Sequence, residues 1–595
     1  MISKKTKNII IRTICAIVVI GTSTIGFSSP VKVKAEDTKV KNVILLVADG
    51  MSDSVLTASK YYNDIQDGTL GNDNLAMDSI RTGYVKTCWA NGPITDSAPA
   101  ATALSSGYKT NPGVIGMDTS NKPKATVLEA AELNGLATGI VSTCETMHAT
   151  PGGFSAHAES RSNYNAIMKQ EVYQDMEVVL GGGKTFFGAT GGEKRKDNKD
   201  LVGDIKSLGY DYVTTKADMK ASKSNKLWGL FADTAMAYDF DRQALDNKEE
   251  PRLRDMTEKA VDVLDNNEKG FFLMVEGSKI DWAAHANDPA GTIGDIMAFD
   301  QAVEYSVNYA KENQDTIVIV TTDHANSGFS IGNEDTTSGY DNLTFEDSIN
   351  QLKGYSLSAE KFNELIKDKS NEEIAGMITK YYGYKNITEE EIGQAKAGQV
   401  NLVMEKRAKI GYTTGGHTGG DVYLGVYAPS GVKRLKGVID NTDIPKYIAS
   451  NLSISLDNAS DKLFQNISSV SNEEGFKLSV NKDDADNPYA LLQKDDLKVD
   501  IMANSNLVKV YKDGIEKKAY TLEGVTVING SDEVFTSESQ IEQILKEAKD
   551  IKDEPTSTPT PTESPTGDST QIFFVGSTAL LSVGYLLVSY KKKRQ

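Results

Sequence analysis

Five short apolar runs rich in β-branched residues, at 42–48, 138–143, 271–275, 316–322 and 422–428, alternate along this chain with longer helical stretches. Runs of that length without strict polar alternation suit strands covered on both faces. The alternation therefore predicts an α/β fold of the doubly wound class, a mostly parallel sheet with helices on both faces. Ligand-type side chains follow the runs: Asp49 after the first, His148 and Thr150 after the second, Glu276 after the third, Asp323 and His324 after the fourth. In open α/β sheets, sites gather beyond the carboxyl ends of the strands. The pattern thus predicts one cleft at one edge of the sheet.

Charge narrows the partners. With 64 Lys and Arg against 83 Asp and Glu, the chain lacks the cationic excess that binding to a nucleic-acid backbone requires. An anionic substrate must be attracted locally. Both ends read as transport signals. Lys4, Lys5 and Lys7 precede an apolar stretch at 9–27 and the small-residue site Val33-Lys34-Ala35, the layout of a secretory signal peptide over 1–35, with an uncleaved anchor as the alternative. A Pro/Thr/Ser-rich linker at 551–571 leads to an apolar run and a basic tail at 572–595. That end resembles the cell-wall sorting signal of Gram-positive surface proteins, although Ser564-Pro565-Thr566-Gly567-Asp568 falls one residue short of the usual motif; a plain transmembrane tail is the alternative. The expectation is an exported protein held at the cell surface by membrane or wall.

Between these ends, residues 36–463 read as one catalytic domain, interrupted by a polar, helical insertion at about 333–399 that is expected to lie over the active-site face, with helices at 359–366 and 371–382. Residues 464–550 read as a small appended domain with strand-like pieces at 476–480 and 499–502. Cys15 lies in the leader, so Cys88 and Cys144 remain, free to be bridged or not.

Three settings suggest metal chemistry. Asp281 and His285 are four apart, which on a helix puts both on one face. Asp323-His324 directly follows a β-rich run, and His417 sits in the glycine-rich loop Thr414-Gly415-Gly416-His417-Thr418-Gly419-Gly420-Asp421. The chain has five histidines, at 148, 157, 285, 324 and 417, and three of them fall in these settings. A nucleophile candidate is Ser97, followed by Ala98-Pro99-Ala100-Ala101, which predicts a helix N-terminus suited to a phosphoryl group.

Taken together, Val47-Ala48-Asp49-Gly50-Met51, Thr95-Asp96-Ser97-Ala98, His148-Ala149-Thr150-Pro151, Ala156-His157-Ala158-Glu159-Ser160-Arg161, Glu276-Gly277, Asp281 with His285, Thr322-Asp323-His324 and Gly416-His417-Thr418 resemble the alkaline phosphatase family, from about 41 to 428. The resemblance implies that family's doubly wound fold and hydrolysis of phosphate monoesters through a phosphoserine on Ser97. It implies a first zinc on Asp281, His285 and His417, a second on Asp49, Asp323 and His324, and a third position, usually magnesium, on Asp49, Thr150 and Glu276. It makes Arg161 the bidentate grip on phosphate, and a homodimer is common in the family. The best-known bacterial members carry Asp at the position of His148 and Lys at that of Trp282, whereas another branch carries the His and Trp found here. His148 then either adds an imidazole to the third site or a hydrogen bond behind it, and cobalt or zinc could compete there with magnesium.

Other readings stay distinguishable. Ser97-Ala98-Pro99-Ala100 partly mimics the sulfatase maturation motif, but position 101 is Ala where that motif needs Arg. A phosphodiesterase of the same superfamily would show higher activity on diesters, and a surface-binding protein on an inactive scaffold would have lost a ligand.

Overall fold

Strand β1 (Asn42–Val47) shows how the sheet is built, since all six of its residues are buried. Ile44 and Leu46 enter one apolar core while Val43, Leu45 and Val47 enter a second, so the strand is covered on both faces. Each such side chain contributes about 1.5–3 kcal/mol by leaving water. The computed structural model describes residues 40–68, 74–188, 199–468, 475–484 and 487–551. The expected leader, most of the Pro/Thr/Ser-rich linker and the C-terminal sorting or transmembrane segment lie outside the described residues. Among the described residues, no helix is long and apolar enough to cross a membrane.

The remaining strands of the central sheet are β2 (Arg81–Lys86), β3 (Ala137–Glu145), β4 (Val178–Gly182), β5 (Asp211–Val213), β6 (Leu227–Leu230), β7 (Phe271–Glu276), β8 (Thr316–Thr321), β9 (Val422–Tyr427) and β10 (Gly437–Asp440). Their ten-stranded order is β10-β2-β9-β8-β1-β7-β3-β4-β6-β5. Only β9 runs against its neighbours β2 and β8; the other adjacent pairs are parallel. Sheet class and layering match the expectation, and the reversed β9 was not legible because its composition matches that of the parallel strands. Register positions the site: Val47 stands opposite both Glu276 and Thr321. Asp49 and Asp323 each lie two residues beyond that level, so the two carboxylates emerge side by side.

Helix α1 (Asp53–Asp67) follows β1, and α2 (Ser97–Ser106) opens at the candidate nucleophile. Asp96 caps α2 by accepting from Ala98 N at 2.9 Å, and Pro99 costs no hydrogen bond in the first turn. Helix α3 (Ala149–Ser155) packs very closely on α2. A Cβ on Gly153 would stand 2.6 Å from Ala101 Cβ, so a larger residue there would drive the two helices apart. Helix α4 (Lys279–His285) follows β7, and α5 (Pro289–Asn313) lies beyond it.

The inserted segment carries α6 (Ala359–Leu365), α7 (Asn371–Tyr382) and α8 (Glu389–Lys396), with Phe362, Ile374, Ile378 and Tyr382 buried, and α9 (Val400–Ala408) follows it. Its first two helices coincide with those expected, ending α6 one residue sooner. Asp241 holds it by accepting from Ser358 N and Ser358 Oγ, both at 2.7 Å. Near His285, Asn401 Nδ2 donates to Ala286 O at 3.5 Å.

The C-terminal part folds into a five-stranded antiparallel sheet, β11 (Lys477–Asn481), β12 (Tyr489–Lys494), β13 (Leu497–Met502), β14 (Leu507–Lys512) and β15 (Ile515–Thr521). Alternating Val499, Ile501, Val508 and Val510 are buried, as are Ile541 and Leu545 of helix α10 (Glu538–Lys549). Cys88 is exposed and Cys144 buried, and neither is bridged.

Candidate metal centre and nucleophile

Helix α4 places Asp281 and His285 on one face, and a short strand pair sets His417 opposite Asn326. His285 Nδ1 lies 2.8 Å from Gly415 O and His417 Nδ1 lies 2.8 Å from Thr95 O. A carbonyl only accepts, so each ring carries its proton on Nδ1 and points an Nε2 lone pair outward. Those two Nε2 atoms face each other at 3.1 Å. Two lone pairs at that distance need one positive charge between them. Contact with Asp281 pushes His285 up, whereas burial and then His324 push His417 down. Asp281 offers its carboxylate to the same space, 3.4 Å from His285 Nε2 and 3.7 Å from His417 Nε2. A divalent cation fits that donor set.

The second group surrounds His324, whose Nε2 lies 3.2 Å from Ser97 Oγ, 3.2 Å from Asp323 Oδ2 and 3.5 Å from Asp49 Oδ1. Asp323 Oδ1 is committed to Gly50 N at 3.2 Å and His324 N at 2.9 Å, which aims Oδ2 into the cleft. Both Asp49 oxygens, Asp323 Oδ2, Glu276 Oε1 and Thr150 Oγ1 are buried without a hydrogen-bond partner among the described residues. Leaving one such atom unsatisfied costs about 1–3 kcal/mol, and more for a charged group. Burial first, then repulsion from Asp323, Asp281 and Glu276, holds the Asp49 carboxyl well above the usual range. Burial pushes Glu276 up to about 7 despite the Cys144 thiol, which donates to its Oε2 at 3.3 Å. Crowded, buried carboxylates of this kind are stable when they hold cations.

Two ligand sets result, Asp281-His324-His417 and Asp49-Asp323-His324, each with one atom per residue within 4.8 Å of the others. The His324 and His417 rings stack with centroids 3.6 Å apart. The expected first set had His285 in the place of His324; His285 touches both other members, while His324 stands between the two sets. Imidazole with carboxylate suits zinc, and the oxygen-rich Asp49, Glu276 and Thr150 suit magnesium.

Ser97 is buried at the start of α2, and its hydroxyl meets the His324 ring that both sets share. Arg161 Nη1 donates to Asp96 Oδ1 at 3.2 Å, and Nη2 to His148 Nε2 at 3.2 Å. Each Nη keeps a second N–H for a ligand. Burial, then the Arg161 charge, lowers His148 to about 3, so this ring is neutral and accepts from the arginine. The structure shows His148 in a contact the sequence did not foresee, accepting from Arg161. Trp282 meets the His148 ring edge-on at 5.8 Å. Lys279 Nζ lies 4.2 Å from the Trp282 ring and 3.9 Å from that of Tyr238. The fifth histidine, His157, is buried between Glu129 Oε1 at 2.9 Å and Gly116 O at 2.7 Å, outside the centre.

Sequence reasoning missed three supporting residues. Asn326 donates to Asp281 Oδ1 at 2.7 Å, Asp96 joins the helix cap to the arginine, and Lys279 backs Trp282. Only the Asp96 cap had a local signal.

Comparison with known proteins agrees with this geometry. The family model described as alkaline phosphatase matches residues 40–454. Alkaline phosphatase 4 of Bacillus subtilis is 36% identical over 433 residues, covering 69% of this chain and 88% of that protein. The crystal structure of the cold-active alkaline phosphatase from a psychrophilic Shewanella superposes with TM-score 0.62 at 31% identity, covering 69% of this chain and 99% of that one. A His-to-Asp mutant of the alkaline phosphatase from the Antarctic bacterium TAB5, solved with Mg bound in its M3 site, gives TM-score 0.51 at 26% identity over 70% of this chain and 99% of that one. By its matched length, its fold and its relatives, this chain belongs to the alkaline phosphatase family and is a phosphomonoesterase.

Proposed function

We propose that the protein hydrolyses phosphate monoesters in two steps through a phosphoserine on Ser97, using two zinc ions and a magnesium held by the residues above. The observation that carries this reading is the position of Ser97 Oγ, 3.2 Å from the one imidazole shared by both ligand sets. When bound, the metals supply Lewis-acid charge that favours the serine alkoxide and the departing oxygen. Asp281, His285 and His417 would hold the first zinc, Asp49, Asp323 and His324 the second, and Asp49, Thr150 and Glu276 the magnesium.

The chain's own residues then divide the work. Ser97 Oγ gives up its proton to solvent and attacks phosphorus as the ester bond breaks, and the departing alkoxide takes a proton from water to leave as the alcohol. The α2 N-terminus offers the Ser97 backbone N–H and a favourable dipole to the transferred phosphoryl group, since Asp96 already holds Ala98 N and Pro99 has no N–H. Arg161, fixed by Asp96 and His148, turns its remaining Nη hydrogens to two non-bridging oxygens. Water then attacks the phosphoserine, frees inorganic phosphate and restores Ser97.

A terminal monoester carries more charge than a diester, so this cationic site should turn over a chromogenic monoester at least about tenfold faster than the matching diester. Faster hydrolysis of the diester would move the assignment to a phosphodiesterase. His148 backs Arg161, and the family resemblance also puts it near the third site. The His148→Asp change replaces a neutral imidazole with a carboxylate, and the TAB5 His-to-Asp mutant with Mg in its M3 site supports the expectation by analogy. Calorimetric titration of the zinc-loaded protein is expected to show magnesium binding tightened by about tenfold; unchanged binding would count against it.

A further inference from the structure

The C-terminal β-domain meets the catalytic body at the segment that carries Arg161. His157 is clamped through its backbone by the buried Gln170, whose Oε1 accepts from His157 N and whose Nε2 donates to His157 O, both at 2.8 Å. The same Gln170 amide donates to Asn504 Oδ1 of the β-domain at 2.9 Å. Phe464 adds ring contact to His157, with centroids 4.5 Å apart. Two residues before Arg161, Glu159 Oε1 accepts from Gly530 N at 2.7 Å. A Cβ on Gly530 would stand 2.8 Å from Glu159 Oε2, close enough to displace that carboxylate. Further along, the Lys169 ammonium donates to Asn487 Oδ1 at 2.6 Å.

These bonds do not sit on a solid interface. A cavity of about 340 Å³ separates the two parts, lined by Glu159, Ser160, Asn163, Lys482, Asn504 and Gly530 among others. Packing therefore leaves the 158–161 turn unsupported on that side, and directed polar contacts set its position. On the other side, Arg161 N donates to Gly113 O at 2.7 Å, and Ala158 exchanges backbone bonds with Ile115 at 2.8 and 2.9 Å. The turn is thus gripped between the α2 neighbourhood and the β-domain.

We propose that the C-terminal β-domain is a positioning element for the phosphate-binding arginine, acting through Asn504 on Gln170 and Gly530 on Glu159. The inference rests on the reading of Arg161 as the phosphate contact. It gives residues 475–549 a task in the reaction without placing them near the reacting atoms. Loosening the turn should weaken the grip on phosphate in substrate and product alike, a uniform loss of binding that raises KM more than it lowers kcat.

The test uses the full chain loaded with zinc and magnesium. Asn504 has φ 56°, which glycine adopts freely, so Asn504→Gly removes the amide without straining the backbone. Asn504→Gly and Glu159→Ala, read singly and together, are expected to raise KM for a chromogenic monoester and the inhibition constant of inorganic phosphate, about fivefold in the double variant, with kcat falling less than about twofold. Zinc content should not change. Asn504→Asp and Glu159→Gln, which keep the accepting oxygens, should restore unaltered values. A phosphate inhibition constant unchanged in the double variant, with or without a lower melting temperature, overturns the proposal if Arg161→Ala weakens phosphate by about tenfold or more. If Arg161→Ala itself leaves phosphate binding unchanged, the reading of the arginine fails first and the positioning role falls with it.

Discussion

Ser97→Ala is expected to lower kcat for a phosphate monoester by about 10³–10⁵-fold while leaving the fold and the zinc content intact. The fold should survive because the α2 cap belongs to Asp96, and alanine is the best helix former at the position that follows. What the substitution takes away is the 3.2 Å approach of the serine hydroxyl to His324 Nε2. The catalytic loss is large because the route is divided into two displacements at phosphorus, and the variant lacks the acceptor for the first. Residual turnover reflects direct attack by water on a substrate still held by Arg161. Activity within about tenfold of the unaltered protein, measured at saturating substrate with zinc content verified, would mean that Ser97 is not the nucleophile.

Removing the divalent metals is expected to have an effect of similar size on rate and a second one on stability. Activity should fall by more than about 10³-fold, since the charge that favours alkoxide and leaving group is then gone. Stability should fall because Asp49, Asp281, Asp323 and Glu276 are buried close together, and both Asp49 oxygens, Asp323 Oδ2 and Glu276 Oε1 have no hydrogen-bond partner among the described residues. Each site occupied at a thousand times its dissociation constant contributes about 4 kcal/mol to the folded state. Two such sites correspond to a melting temperature higher by roughly 10 °C in a protein of this size. Thermal unfolding followed before chelation, after dialysis against a chelator and after zinc is restored checks both effects. Equal melting temperatures and equal rates in a metal-free preparation would contradict the assignment of these residues as ligands.

Much of this architecture was legible because its signals are local. Runs such as 42–48 and 316–322 carry strand preference and two-sided burial in their own composition, and Asp49, Glu276, Asp323 and His324 come directly after such apolar runs. The Asp281 and His285 pair needed only the helical repeat. What escaped depends on distant parts of the chain. The sharing of His324 between ligand sets follows from the stacking of residues 324 and 417, and the Asn326 bond to Asp281 spans 45 positions. Nothing near Lys279 in the sequence signals that the rings of Tyr238 and Trp282 together flank it. For residues 464–550 the sequence showed strand pieces without a partner, because among the described residues β11 to β15 form a sheet of their own and the links of this part to the centre include Gln170–Asn504 and Glu159–Gly530, more than 300 positions apart in each case.

The most direct test of the central claim is to quench the metal-loaded protein in acid during turnover of a monoester labelled on phosphorus and to map the label by peptide mass spectrometry. The phosphoserine route predicts one labelled peptide, carrying the phosphoryl group on Ser97, and an unlabelled protein in the Ser97→Ala variant. Label on another residue, or turnover with none of the label on the protein, would contradict it.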